Sequence, residues 1–560
     1  MAHVKKKYQQ QFGSKGSYLD KDIAVKLAPS PIGGWDAISP IAAMEAKYAS
    51  ILVNWVPRTG WCEVRGGYNT WSQHPNTSSV ETLMTYRPPL GSEKLFAAQG
   101  TEIWDVSTYG IPTLSKSSIG GSFYQHINFT PALGSSYLMC VNGIDQLLTY
   151  NGTTWANQTI TGAGSAIFIG INVFKRRVWL IPPNSTIAYF LGTDAITGAA
   201  TGINLGAFMN KGGYLMAMGT WTMDGGNGPD DMAIFVTSRG QVIQYKGTDP
   251  TNANAWALVG VFDLPPPISR RCLYRFGSDL MLITQTGIIP VSQALPFDPS
   301  ATRSIALTNR IQNAMLVAAQ YSKDFTGWQM ISFPLQSLFF LNVPQDASTI
   351  RVQYVMNTIT GAWTQFQGWN ANCFEIFNDS LYFGDASGNT NLAYASGLDK
   401  VDTIFYDMKC AFNYFDEPGR LKNAGMIRPF LIADGTLTPS IQVDVDFENS
   451  SPSAPVTILN PAGALWDTSL WDSAVWSTGA IPVIQWLSCN ALGTALAIRM
   501  TINLSGGGVA GLIAQSSVFD TGVFDTMVFD GNGSIIASGS DIPVLQVNLF
   551  EITLEYGGPI

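Results

Sequence analysis

Pro31-Ile32-Gly33-Gly34-Trp35-Asp36, Ser39-Pro40-Ile41, Asn54-Trp55-Val56-Pro57 and Val64-Arg65-Gly66-Gly67-Tyr68 punctuate residues 31–71, and the reading of this stretch decides the fold. It runs as a Gly-Gly turn, a short amphipathic helix, a proline stop and a strand entered through a second Gly-Gly. Ser39-Pro40 opens the helix, with proline at the first helical position, where its missing N–H costs nothing. Ile41, Met44, Tyr48, Leu52 and Trp55 recur at three- and four-residue spacing, which predicts one apolar stripe. Pro57 ends it. The stripe suits packing onto a core or docking on a neighbouring subunit. Nothing in this order of residues carries chemistry.

Downstream, from about residue 71 to 400, the pattern changes to strand, turn, strand. Short strands are expected at Lys94–Gln99, Glu102–Val106, Tyr137–Cys140, Gln146–Tyr150, Val178–Ile181, Ala233–Ser238, Val242–Tyr245, Leu280–Thr284 and Leu381–Gly384. Asn, Asp and Gly fill many intervening turns, as antiparallel hairpins require. A loose repeat shows in Asp145–Gly152, Gly240–Gly247 and Gly388–Tyr394, each a turn followed by a strand reaching a tyrosine. A second pair, Tyr150–Trp155 and Asn357–Trp363, ends on tryptophan. Repeated four-strand units with an aromatic per hairpin predict a β-propeller, and at about 45–55 residues per blade the span holds about six or seven. Two stacked β-sandwiches are the alternative.

Residues 401–560 read as β of another kind. Gln442–Phe447, Ala495–Asn503 and Val544–Tyr556 alternate as half-exposed strands do. Trp466, Trp471 and Trp476 fall every five residues, as do Val518-Phe519-Asp520, Val523-Phe524-Asp525 and Val528-Phe529-Asp530. The expectation is an all-β chain in three parts. Residues 1–70 form an arm and helix packing with the C-terminal domain, 71–400 the propeller, and 401–560 a platform-like β-sandwich.

Of the 560 residues, 46% are hydrophobic and only 13% charged, about half the usual charged share. A surface so poor in charge points to coverage by neighbouring subunits. The net charge of −9 argues against a general nucleic-acid-binding face, which would be basic, yet suits a wall that phosphates slide past. The basic start, His3-Val4-Lys5-Lys6-Lys7, is followed by no apolar run and is not a secretory signal. Lys175-Arg176-Arg177 interrupts the most apolar long stretch, so no membrane span is expected. Six scattered cysteines without a CxxC pair read as reduced, buried thiols.

The motifs that could carry chemistry are few. Three histidines, His3, His74 and His126, show no metal-ligand spacing. Leu504-Ser505-Gly506-Gly507-Gly508 lacks any phosphate-binding Walker partner and reads as a turn. Asp224, Asp230 and Asp231 form the one acidic cluster dense enough for a hard cation, without EF-hand spacing. No sialidase-type aspartate box occurs. No catalytic residue and no cofactor are expected. Trp35, Trp55, Trp466, Trp471 and Trp476 are the interface candidates, tryptophan being enriched at hot spots.

Residues 31–71, the run from Asp224-Gly225 through Gly260-Val261-Phe262, the segment Gly277–Ser292 and the Trp-Asp run with Gln485-Trp486 together resemble the nozzle, tail-tube or tail-hub proteins of short-tailed bacteriophages. The resemblance implies a ring of subunits, usually six, below the portal and adaptor. It further implies a propeller in each subunit, a platform-like β domain, a central DNA channel and docking surfaces for tail fibres or spikes. Such a protein is assembled in the host cytoplasm and resides in the virion tail. It acts mechanically, holding DNA until distal loops open. The rival expectation is a receptor-binding or polysaccharide-degrading tail protein that uses a propeller face. A third is an unrelated propeller binding module.

Overall fold

The computed structural model describes residues 23–132, 134–224, 229–347, 349–433, 437–450, 453–458, 481–504 and 544–559. It is a mostly β chain with a six-blade propeller arrangement joined to a second β unit.

The blades are four-stranded antiparallel sheets. Blade 1 is Val80–Tyr86, Lys94–Gln99, Glu102–Asp105 and Thr113–Ser117, and blade 2 is Gln125–Phe129, Tyr137–Val141, Leu148–Tyr150 and Trp155–Asn157. Blade 3 is Gly170–Phe174, Arg177–Ile181, Ile187–Phe190 and Thr201–Asn204. Blade 4 is Leu215–Asp224, Pro229–Thr237, Gln241–Gly247 and Trp256–Asp263. Blade 5 is Gln329–Phe333, Leu338–Pro344, Arg351–Asn357 and Trp363–Phe366. Between blades 4 and 5 sits a three-stranded sheet, Leu273–Phe276, Asp279–Thr284 and Gly287–Pro290, followed by the helix Gln312–Ser322. Blade 6 takes three strands from Ala371–Phe377, Ser380–Asp385 and Asn389–Ser396 and its fourth from the N-terminal side, Gly67–Gln73. From blade 2 onward the first strands of neighbouring sheets pack on one another around the ring, Ala371–Phe377 returns against Val80–Tyr86, and Val80–Tyr86 meets Tyr137–Val141 of blade 2 to close it.

The sequence repeat has a structural meaning. Its three copies supply the third strands of blades 2, 4 and 6, and the Trp-ending pair forms the link from third to fourth strand in blades 2 and 5. Equivalent positions carry equivalent residues because each must pack an aromatic at the same point of the blade: Tyr150 meets Trp155 and Phe96, and Tyr245 stacks on Trp256.

Blade 5 does not end at its fourth strand. Its sheet continues through Gly34–Trp35, Tyr48–Val53, Ile404–Cys410, Leu496–Leu504 and Ser440–Val445 to make nine strands. A second sheet orders Ile481–Ile484, Arg420–Ala433, Leu545–Pro559, Cys62–Val64 and Trp55–Pro57, with Ile23–Pro29 on Leu545–Pro559 and Leu487–Gly493 on Arg420–Ala433. Leu52, Tyr406, Met408 and Met500 from the nine-stranded sheet share one buried core with Trp55, Ile427, Leu431, Phe550 and Ile552 from the other. Both ends of the described chain therefore lie in one sheet.

The expected helix over Ile41–Trp55 is not there. One 3-10 turn, Ile41–Ala43, is followed by the strands Tyr48–Val53 and Trp55–Pro57. Two backbone irregularities explain the misleading spacing. A bulge between Ala49 and Ile51 shifts the register, and Asn54 adopts φ 63. Each resets the two-residue alternation, so Ala49, Leu52 and Trp55, three apart, all reach the same core. A strand broken twice in this way mimics helical periodicity.

Candidate functional site

Residues 31–71 build the junction between the two units. Gly34, at φ +85, pairs in parallel with Trp363, and a Cβ there would stand 2.5 Å from the Trp363 carbonyl oxygen. Gly67 passes so close to Leu398 that a Cβ would meet its carbonyl oxygen at 2.0 Å. Asp36 accepts from the amides of Ile38 and Ser39 and from the Ser39 hydroxyl, fixing the following turn.

Arg65 lies at the centre and is fully buried. Its Nη1 and Nη2 form a fork on Asp399 at 2.9 and 2.7 Å. Nε donates to Asn54 Oδ1 at 2.8 Å, and the remaining donors reach the carbonyls of Gly66 and Gln367. The rings of Phe366 and Trp369 lie 5.5 and 5.2 Å from the guanidinium carbon. Burial alone would lower its pKa, but the Asp399 carboxylate outweighs that and raises it. Asn54 also accepts from the Gln367 amide and donates to the Phe405 carbonyl, and the Tyr406 hydroxyl donates to the Arg65 carbonyl. One guanidinium thus ties the entry strand, the link from blade 5 to blade 6, the end of blade 6 and the second unit. Such a buried pair fixes geometry more than it adds stability.

The second concentration of polar groups lines the propeller axis. Arg271 Nη2 donates to Thr82 Oγ1 at 2.6 Å and to the carbonyls of Glu81 and Tyr124, and its guanidinium carbon lies 4.1 Å from the Phe123 ring centre. Burial pushes its pKa down to about 10. Ser122 donates to Glu81 at 2.7 Å. A cavity of about 300 Å³ opens beside them, bordered by Ser79, Glu81, Phe123, Arg351 and Asn372.

The residues singled out by sequence fall in different places. Trp55 is fully buried, edge-on to Tyr406 at 5.8 Å, so it belongs to the core of its own chain and is withdrawn as an interface residue. Trp35 is half-buried and edge-on to Tyr354 at 5.4 Å, bordering two cores. Trp466, Trp471 and Trp476 lie outside the described residues, as do the Val-Phe-Asp triplets. Asp224 and Asp230 occupy facing strands of the blade 4 hairpin, whose tip, 225–228, lies outside the described residues. Asp231 is engaged already: Lys175 Nζ is 2.7 Å away and Thr222 donates at 2.9 Å, which hold its pKa below the usual carboxylate range against the opposing effect of burial. Among the described residues no three His, Cys, Asp or Glu side chains are grouped to hold a metal. All six cysteines are buried thiols, and burial pushes Cys272, Cys373 and Cys410 up to about 12. No described helix is long and apolar enough to cross a membrane.

Sequence reading missed the Arg65–Asn54–Asp399 junction. Its one local signal is Arg65 itself, a cation between an apolar strand and a Gly-Gly pair; Asp399 is more than three hundred residues away.

No protein-family model and no curated protein sequence matches the chain. Solved structures do. The WD40 β-propeller domain of Doa1 is 6% identical with a TM-score of 0.36, over 58% of this chain and 96% of that one. The β-propeller domain of Cps50 (Swd1) from Myceliophteria thermophila is 13% identical with a TM-score of 0.37, over 59% and 100%. The computationally designed Ika8 protein is 7% identical with a TM-score of 0.32, over 58% and 99%. At such identities the likeness concerns fold alone, and no function is taken from it.

Proposed function

We propose that this chain is a structural subunit of a short bacteriophage tail, forming a ring below the portal and adaptor that conducts and gates genome DNA and docks tail fibres or spikes. The ring has six copies, and the second β unit is its platform-like sandwich. The observation that carries the reading is the junction: the motif stretch that resembles nozzle proteins builds close backbone approaches and one buried ion pair, a rigid joint. A joint continuous with a nine-stranded sheet suits a part that transmits force. The apolar outer residues of the other sheet suit a part covered by neighbours: Ile23, Val25, Leu27, Met426, Ile484 and Leu492 are all exposed. The low charge agrees.

The axial cavity favours a second reading, a tail protein that binds receptor or polysaccharide on a propeller face. Phe123 offers an aromatic surface there, and Glu81 and Asn372 offer polar groups. Electron microscopy of the purified protein, alone and mixed with its neighbouring virion components, separates the two. A closed ring with an axial channel supports the conduit. A trimer without a channel that clears host polysaccharide supports the alternative.

A further inference from the structure

The outer face of the nine-stranded sheet, opposite the shared core, carries a buried lysine that no structural requirement of the junction explains. Lys409 lies in the strand Ile404–Cys410 and Asp444 in Ser440–Val445; both pair with Leu496–Leu504, which runs between them. Lys409 is opposite Arg499, while Asp444 is opposite Ala497. Its side chain therefore crosses the middle strand to reach Asp444, over a position kept small by Ala497. Nζ and Asp444 Oδ2 are 2.6 Å apart, with side-chain exposures of 3% and 0%. Nζ also donates to Asn449 Oδ1 at 2.6 Å and to the Glu448 carbonyl at 3.4 Å. Phe412 covers the amine, its ring centre 4.9 Å away, and Phe447 packs on Phe412 at 4.8 Å. Gln442 and the Ser450 amide hold Asp444 Oδ1, so the carboxylate is fixed with its other oxygen, which has no hydrogen-bond donor of good geometry, against the amine.

A buried amine that touches both a carboxamide and a buried carboxylate under aromatic cover supplies the components of a self-catalysed amide transfer. We propose that Lys409 and Asn449 form an isopeptide bond, with Asp444 as the proton carrier. The Asn449 carbonyl carbon is one C=O bond, about 1.2 Å, beyond the oxygen that Nζ touches, so the reacting atoms lie less than about 4 Å apart. The ammonium passes a proton to Asp444 Oδ2. The freed lone pair on Nζ forms the N–Cγ bond while the carbonyl π pair moves onto Oδ1. Collapse of the tetrahedral intermediate breaks Cγ–Nδ2. One of the two protons left on Nζ, relayed through Asp444, goes to Nδ2, which leaves as ammonia, and the other stays on the new amide nitrogen. Ammonia then takes the proton still held by Asp444 and departs as ammonium. Amine plus carboxamide gives secondary amide plus ammonia, and nothing is oxidised or reduced. Asn449 sits on the exposed segment after its strand, which gives the leaving group a path to solvent. The product is a covalent staple between the strand Ile404–Cys410 and the turn after Ser440–Val445, across the strand that separates them.

The test is the intact mass of the full chain after purification, with a tryptic map. The expected mass is about 17 Da below that of the sequence, one ammonia. Trypsin should fail to cut after Lys409, and a branched peptide should join the segments holding Lys409 and Asn449. Asp444→Asn and Asn449→Ser should both restore the full mass, the second without touching a buried side chain. A wild-type chain at full mass that is cut after Lys409 overturns the proposal. So does a chain lighter by one ammonia whose map shows only linear peptides, since that is a succinimide at an asparagine.

Discussion

Replacing Arg65 by methionine removes the cation and keeps most of the side-chain length. The Asp399 side chain is only 9% exposed and would lose both of its contacts to the guanidinium. The carbonyls of Gly66 and Gln367 would each lose a donor, whereas Asn54 Oδ1 keeps the Gln367 amide. Breaking a buried pair by deleting one partner costs about 3–5 kcal/mol, because the other charge is left uncompensated. A chain of this size need not unfold in one step, so local opening is the better readout. Amide exchange at Arg65, Gln367 and Tyr68, whose N–H groups bond Asn54 O, Asn54 Oδ1 and Leu398 O, should quicken by roughly 10²- to 10⁴-fold. Exchange at Met139 in blade 2 should be unchanged. Adding Asp399→Leu should recover about 2 kcal/mol or more, since the two side chains act as a pair. A change below about tenfold at the junction amides, or strict additivity of the two substitutions, would refute the view that this ion pair fixes the joint.

Other outcomes follow from the same structure. Trp55→Ala, at a fully buried core position, should cost about 3–5 kcal/mol in the unfolding of the second unit, measured by urea denaturation. Gly34→Ala should loosen the pairing to Trp363 and release blade 5 from the strand Tyr48–Val53, visible as faster exchange of the Asn54 amide. His74, which bonds Thr390 Oγ1 beside the closing strand of blade 6, is held down to about 4 by burial, with Asp385 opposing. The unfolded chain therefore binds a proton below about 6.5 that the folded chain refuses until about 4. Stability from this residue is complete above pH 6.5 and is lost as pH falls towards 4, and His74→Gln should flatten that slope in thermal melts. The six thiols should resist alkylation in the native protein and react on unfolding, as mass spectrometry would show.

The propeller was legible because its information is local. A blade needs hairpin turns and an aromatic at a fixed place, and both are written within a few residues, as in Tyr150-Asn151-Gly152-Thr153-Thr154-Trp155. The same locality explains the error at Ile41–Trp55. Periodicity assumes an uninterrupted element, and neither the bulge after Ala49 nor the positive φ of Asn54 is visible in residue types alone. The continuation of blade 5 into the second unit was illegible for another reason: Gly34 with Trp363 and Ala49 with Cys410 are pairings that span hundreds of residues. Arg65 stands beside the Gly-Gly entry to a strand with nothing local to mark its role, and its partner Asp399 stands in an unremarkable Leu398-Asp399-Lys400. Of the tryptophans proposed for interfaces, Trp55 shows how little residue type says about which side of a surface an aromatic serves.

The proposed function is that of a ring that conducts DNA. Cryo-electron microscopy of the full chain mixed with its neighbouring virion components, with the subunit count read from the particle symmetry, addresses that directly. The expected result is six copies around an axial channel that admits duplex DNA, with the sheet face bearing Ile23, Val25 and Leu27 covered by other chains. A monomer, or a trimer without a channel, in the presence of those components would contradict it.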